Sequence, residues 1–267
     1  MLRFIASRLL QSAMVLLVMS FIIYGLIGLM PGDPIDIMVN SNPGYTAQDV
    51  ARLRAQYGLD QPLLTRYWNW LQAAASLDFG YSRTYSQPVL VIMVPALIQT
   101  GKLVGLSFLV FTALALTLGV AAALSKGSVL DRVINFLAFA GISVPVFFLA
   151  LMLIYLFAVR LGWLPASGMF TVGGDGSLSD SAKYYVLPVL TLTAAFAGRF
   201  TRFTRASMVE VLRMDYIRTA RAKGAGKLRV VFKHALRNAL IPVVTVLALS
   251  FGALLGGALI TETMFAQ

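Results

Sequence analysis

Four stretches of this 267-residue chain run without a charged residue for the length of a membrane crossing: 9–30, 103–124, 133–159 and 239–261. A helix needs about 20 apolar residues to cross the hydrocarbon core of a bilayer. Inside that core every backbone N–H and C=O must find its partner within the protein. Together these conditions leave an all-α, polytopic helical bundle as the fold. The composition agrees, with 58% hydrophobic and 12% charged residues, about half the charge of an ordinary soluble domain. A fifth run, 184–198, is short by itself. It becomes a span of 184–204 if its helix runs on past Arg199, Arg202 and Arg205, whose long stems can carry their charges to the headgroups.

Charge gives the expected orientation. Residues 199–237 hold eleven of the 22 Lys and Arg, against Glu210 and Asp215, for a net charge of +9. Positive loops stay on the cytoplasmic side. Arg3 and Arg8 precede the first span and Lys126 and Arg132 separate the second from the third, so residues 1–8, the short 125–132 turn and a loop at 205–238 are all expected in the cytoplasm. The segments 31–95 and 160–183, with near-balanced charge, are expected outside. The first span is too long for a signal-peptide core, and Pro31-Gly-Asp-Pro34 does not resemble a cleavage site, so it reads as a retained helix. Five spans would leave Gln267 outside with no closing charge cluster. A truncated chain, with a sixth span missing, is the expectation.

The composition excludes several functions. With no Cys and His234 as the single His, there is no thiol chemistry and no multi-His metal centre, so no metal residues are expected. The isoelectric point near 10.2 comes from bases beside apolar spans, where positive-inside retention and the anionic lipid bilayer account for it, so no nucleic-acid partner is expected. A phosphate-binding Gly-x-x-x-x-Gly-Lys-Ser/Thr loop is absent from the sequence. No catalytic residue and no cofactor are assigned, and any nucleotide must bind another chain.

Between the first two spans, Thr46 and Asp49 read as a capping box and Gly58 as a stop, which predicts a helix over 47–57. Pro62 then opens an amphipathic stretch to Leu77 that contains Tyr67, Trp68 and Trp70, residues suited to a membrane interface or to an external partner. In the basic loop, Asp215 is expected to cap a short helix, 216–223, that Gly224 ends in the left-handed conformation. At about 1.5 Å per residue this is a rod of about 12 Å. Ile217, Ala220 and Gly224 fall on one face, open to the close approach of another backbone or of the lipid surface. Pro145, Pro188 and Pro242 are expected to kink their spans, and Gly252-Ala-Leu-Leu-Gly256 permits close helix contact.

The run Asp215-Tyr-Ile-Arg-Thr-Ala-Arg-Ala-Lys-Gly224, followed by His234-Ala-Leu-Arg-Asn-Ala-Leu-Ile-Pro242, resembles the cytoplasmic coupling loop of ABC-importer permeases, most closely the dipeptide, oligopeptide and nickel group. Arg8-Leu-Leu, Pro31-Gly-Asp-Pro34, Tyr57-Gly-Leu-Asp-Gln-Pro62 and Glu262-Thr-Met-Phe265 extend the resemblance over essentially the whole chain. The broad importer pattern has Glu-Ala-Ala three residues before the turn glycine. Here the triad is Arg218-Thr219-Ala220, a departure shared with the peptide and nickel subgroup that removes any salt bridge inferred from the acidic residue.

The resemblance implies a type I ABC-importer permease fold and an ATPase-coupling site made of Asp215, Ile217, Arg218, Thr219, Ala220, Arg221, Ala222, Lys223 and Gly224. It implies two cytoplasmic ATPase subunits, a second homologous permease and an extracytoplasmic solute-binding protein as partners, in a bacterial inner membrane. The cargo would be a di- or oligopeptide, or a related solute such as nickel or glutathione. A secondary transporter is the alternative from another class, but the spans contain no internal charge to carry coupling ions and no visible repeat. A membrane scaffold with a lipid-binding basic loop is the other.

Overall fold

The computed structural model describes residues 1–29, 46–56, 58–82, 84–171, 173 and 177–266. These form two compact units, Met1–Met93 and Val94–Gln267. Pro31-Gly-Asp-Pro34, the end of the expected first span at Met30, Tyr57 and Gln267 lie outside the described residues.

In the first unit, α1 (Leu2–Leu29) is a single apolar helix. Helix α2 (Ala47–Gln56) begins with the expected capping box. The Thr46 hydroxyl and N–H both donate to Asp49 Oδ2, at 2.7 and 3.0 Å, and the Asp49 N–H donates back to Thr46 Oγ1 at 3.3 Å. Gly58 follows with φ +63°. Helix α3 (Leu63–Ala75) starts after Pro62. It packs on α1 through an aromatic cluster. Tyr67 meets Phe21 edge-on with ring centroids 5.1 Å apart, and Trp70 lies 5.7 Å from Tyr24. The Tyr67 hydroxyl also sits 2.9 Å from that of Ser20 and donates to the Leu17 carbonyl at 3.2 Å. A two-residue hairpin, β1 (Tyr81–Ser82) and β2 (Gln87–Pro88), pairs Tyr81 with Pro88.

The second unit is built around α7 (Leu178–Val211), against which α5 (Val129–Ser143) and α9 (Arg237–Phe265) both pack. Glycine sets how closely they approach. A Cβ on Gly198 of α7 would lie 2.2 Å from the Ala138 carbonyl oxygen of α5, and one on Gly141 would lie 2.7 Å from that of Ala194. The two backbones therefore touch at both points. Helix α4 (Val89–Leu124) meets α7 at Gly119, where a Cβ would fall 2.6 Å from that of Thr204. Farther along, Phe111 of α4 is fully buried and stacks on Phe200 and Phe196, with centroids 5.2 and 5.9 Å apart. Along α9 the buried residues Ala239, Val243, Leu247, Ser250, Leu254, Ala258 and Thr261 recur every three or four positions. This narrow stripe leaves the rest of the helix surface apolar and exposed, as lipid requires. Gly252 and Gly256 have the spacing of a close-packing motif, yet a Cβ on either would meet nothing within 4 Å. The close contacts fall at other glycines.

The run expected as one crossing at 133–159 is two helices. Helix α5 ends at Ser143, and α6 (Val146–Leu153) continues as a π-helical segment, Ile154–Arg160, bent 103° from α5. Pro145 explains the break, because its ring disfavours helical geometry at Val144 and it has no N–H to donate. Pro188 and Pro242, by contrast, lie within unbroken helices. Among the described residues three helices are long and apolar enough to cross a membrane, Arg3–Leu29, Val89–Leu124 and Arg229–Phe265, and the bent pair would make a fourth. The run 184–204 lies inside α7, where charges at both ends shorten its apolar stretch.

Candidate functional site

The basic loop is compact and largely helical. After α7 ends at Val211, the N–H groups of Leu212, Arg213 and Met214 fold back onto Met208, Glu210 and Val211 carbonyls, and α8 (Asp215–Ala222) begins. The N-cap is Met214, with ψ 149° and no side-chain cap, and not Asp215 as the sequence suggested. Asp215 stands instead in the first turn, where its negative charge favours the helix N-terminus. It accepts a 3.2 Å hydrogen bond from Arg218 one turn on, and both side chains are exposed. Thr219 closes the same turn by donating to the Asp215 carbonyl at 3.0 Å.

The other end of α8 is a full Schellman motif. Gly224 has φ +80°, its N–H donates to the Arg221 carbonyl at 2.9 Å, and the Ala225 N–H reaches back to Ala220 at 3.1 Å. Gly suits this left-handed position because it lacks a Cβ. A Cβ there would meet nothing within 4 Å, so the constraint is conformational and not steric. The chain then enters a π-helical segment, Arg229–Leu236, that runs directly into α9.

Ile217 decides which way α8 faces. It is fully buried in a cluster with Ala123 of α4, Met208 of α7, Val230 and Val231 of the π segment, and Ala239 of α9. Of the face that spacing offered to a partner, Ile217 packs home and Ala220 is partly covered, while Gly224 stays exposed. Apolar Ile217 is excluded from water, while the charged residues between it and the next turn cannot follow. Asp215, Tyr216, Arg218, Thr219, Arg221, Ala222, Lys223 and Gly224 are all exposed. The site is a short polar ridge riveted to the bundle by one isoleucine. Ser207 Oγ adds a buried 2.9 Å bond to the Ala239 carbonyl, fixing α7 to α9 beneath it.

An ion pair that the sequence reading missed braces the same end of the bundle. Asp131, 4% exposed, lies in the first turn of α5, where the Ser128 hydroxyl accepts its N–H at 3.3 Å. Its carboxylate receives Arg205 Nε and Nη2 at 2.6 and 2.7 Å, the Gly127 N–H at 2.9 Å and Asn135 Nδ2 at 2.7 Å. These donors, Arg205 first, hold its pKa down at about 2. Arg205 therefore turns inward to α5, contrary to the expectation that it reaches for headgroups. Arg202 also faces α5, with its guanidinium 4.3 Å over the Phe139 ring. The available sequence signal was Ser128-Val-Leu-Asp131, a capping-box pattern. Nothing local pointed to the partner in α7.

Comparison with known proteins gives the family. Residues 115–267 match the model of the binding-protein-dependent transport system inner membrane component, and residues 1–100 match that of its N-terminal part. The chain belongs to this family. It is 42% identical over 265 residues to the glutathione transport system permease protein GsiC of Salmonella choleraesuis, and 41% identical to that of Escherichia coli, each match covering 99% of this chain and 83% of the relative. A protein provisionally named a peptide permease in Brucella suis is 39% identical over 266 residues, with the same coverage. The chain is an ABC-importer permease of the peptide and nickel group, a multi-pass inner-membrane protein and a transport component, not the catalytic subunit. Permeases of this kind work with an ATPase and a solute-binding protein.

Proposed function

We propose that this permease is the ATP-driven conduit for di- or oligopeptides, or for a small related solute such as glutathione or nickel, with α8 as its coupling helix. Its partners are two cytoplasmic ATPase subunits, a second homologous permease and an extracytoplasmic solute-binding protein. The N-terminus and the 205–238 loop face the cytoplasm, spans near 9–30, 103–124, 184–204 and 239–261 carry the chain across the membrane, and the bent pair over 133–159 makes one broken crossing. The relatives' names support the cargo class. The observation that carries the mechanism is Ile217 buried beneath a largely exposed α8.

A short helix whose outer ridge is polar and whose inner face is locked can pass a push inward with little loss. When nucleotide closes the ATPase pair, the groove holding Arg218, Thr219 and Ala222 carries α8 with it. Ile217 passes the displacement to Met208 of α7 and to Val230 and Val231 at the base of α9. The close Gly141 and Gly198 contacts make α5 move with α7, because backbones in contact have no side chains left to flex between them. Alternating access follows from these helices moving together.

The absence of Cys permits a direct test. Cys replacing exposed Ala222 or Thr219, paired with single Cys residues along the ATPase groove, is expected to form an intermolecular disulfide whose yield changes with nucleotide. Failure at every position tried, in complexes shown to contain the ATPase, would remove α8 from the interface.

A further inference from the structure

Beside α8 lies a cleft of about 700 Å³ that the proposed coupling does not explain, although Arg221 of α8 and Val230 and Val231 of the cluster beneath it are among its lining residues. Its walls include Leu124 at the end of α4, Leu212 after α7, and Leu228 and Phe232 of the following segment, while Arg221 and Lys227 supply its charge. Leu124, Leu228 and Phe232 are 54%, 74% and 59% exposed, far too open for side chains bordering water alone. Among the described residues no acidic side chain lines the cleft. Among the described residues neither Arg221 nor Lys227 has an ion-pair partner. Apolar walls with unpaired cations at the mouth are complementary to a molecule with a hydrocarbon body and an anionic head.

We infer that this cleft is a binding site for an anionic phospholipid, whose headgroup phosphate is held by Arg221 and Lys227 and whose upper acyl chain lies against Leu124, Leu228 and Phe232. The volume falls within the range of ligand-sized sites, and basic pockets between membrane helices on the cytoplasmic side suit such headgroups. Helical geometry separates this role from ATPase docking. Arg221 lies one turn beyond buried Ile217 and so on nearly the same side of α8, toward the bundle, whereas Thr219 and Ala222 project from the opposite side. Lys227 follows the Gly224 turn and approaches the cleft from the other edge. The lipid would thus seal the seam between α8 and the end of α4. The inference rests on the proposed function only for the cytoplasmic placement of this loop.

The test uses the importer assembled with its partner subunits in nanodiscs that contain phosphatidylglycerol bearing a photoreactive group high on one acyl chain, with labelled residues mapped by peptide mass spectrometry. Labelling is expected within 226–233 and near Leu124. Unlabelled phosphatidylglycerol should compete, and phosphatidylcholine and millimolar inorganic phosphate should not. Lys227→Gln should lower labelling about five-fold, the equivalent of ~1 kcal/mol per basic residue near an anionic headgroup, and Lys227→Arg should restore it. Equal competition by phosphatidylcholine would reduce the cleft to ordinary lipid boundary. Full competition by phosphate would make it a site for free anions, and labelling seen only after the ATPase is stripped away would give it to the ATPase; each of these overturns the inference. Labelling of Gly226→Cys by a membrane-impermeant maleimide, in spheroplasts against inverted vesicles, reads the sidedness separately, so an error in the proposed orientation is told apart from an error about the lipid.

Discussion

Asp131 and Arg205, on different helices and 74 residues apart, are joined through both carboxylate oxygens at 2.6 and 2.7 Å, with the Asp131 side chain 6% and the Arg205 side chain 25% exposed. A two-point, charge-assisted contact fixes orientation as well as distance. It ties the first turn of α5 to α7 about one turn before Met208, which packs in the cluster around Ile217 of α8. Removing one partner leaves the other charge partly buried and unmatched, which is the costly way to break such a pair. Asp131→Ala is expected to cost about 2–3 kcal/mol, and Arg205→Lys, which keeps the charge but loses the fork, somewhat less. The double variant Asp131→Ala/Arg205→Ala should cost clearly less than the sum of its singles. Thermal survival of the solubilised protein, followed by size-exclusion chromatography, reads all three. Additive losses would mean that the two residues act independently.

The same pair predicts a pH response. The donors around Asp131 hold its pKa at about 2, below the roughly 3.9 of an unperturbed Asp. A carboxylate whose pKa is depressed on folding contributes its full stability above the unfolded value, and that contribution fades as the pH falls toward the folded one. The stability gap between the natural protein and Asp131→Asn should therefore stay level from roughly pH 5 to 8 and close between about 4 and 2. A gap that varied near neutral pH would mean that some other group governs this contact.

Local chemistry was the legible part of the sequence. The apolar runs marked the helices, Thr46 with Asp49 marked the start of α2, and Gly224 marked the end of α8, because each signal lies within a few residues of its effect. Pairings across the bundle were hidden. Arg205 read as one of the eleven bases of residues 199–237, reaching for the headgroups, and only the packing of α5 on α7 gives it a carboxylate. Periodicity grouped Ile217 with Ala220 and Gly224 on one face but could not say which way that face turns. In water the apolar member turns inward, so the outward ridge is polar. The glycines show the same limit. Gly252 and Gly256 share a recognisable spacing, yet the contacts that need glycine pair Gly198 with Ala138 and Gly141 with Ala194, positions related only in three dimensions.

That difference between glycines can be measured. A methyl at Gly198 would sit 2.2 Å from the Ala138 carbonyl oxygen, and backbone cannot move aside as a flexible side chain can. Gly198→Ala is expected to force α5 from α7 and sharply lower the yield of folded protein. Gly252→Ala meets nothing within 4 Å, so the isolated subunit should be unharmed, or gain up to about 1 kcal/mol from the better helix former. Comparable losses from both substitutions, in yield and in thermal survival, would show that the α5–α7 backbone contact does not set the fold.

Ile217 gives the sharpest test of how force would pass from α8 to the bundle. It is fully buried while nearly every neighbour on its eight-residue helix is exposed, so few other contacts can hold α8 in place. Truncating a buried isoleucine to alanine costs about 2–5 kcal/mol. Most of that loss should be local, because a helix this short does not hold itself together. Ile217→Ala is expected to leave an inserted, assembled complex that still hydrolyses ATP but moves little solute per ATP. Ile217→Val should recover much of the coupling, since it removes one methylene from the cluster and leaves the rest. Tyr216→Ala, at an exposed position, serves as the comparison for general damage to α8. The reading comes from solute uptake and ATP hydrolysis measured on the same proteoliposomes. If uptake and hydrolysis fell together in proportion for Ile217→Ala, its side chain would be holding the ATPase in place, and the transmission of movement into α7 and α9 would have to run through other residues.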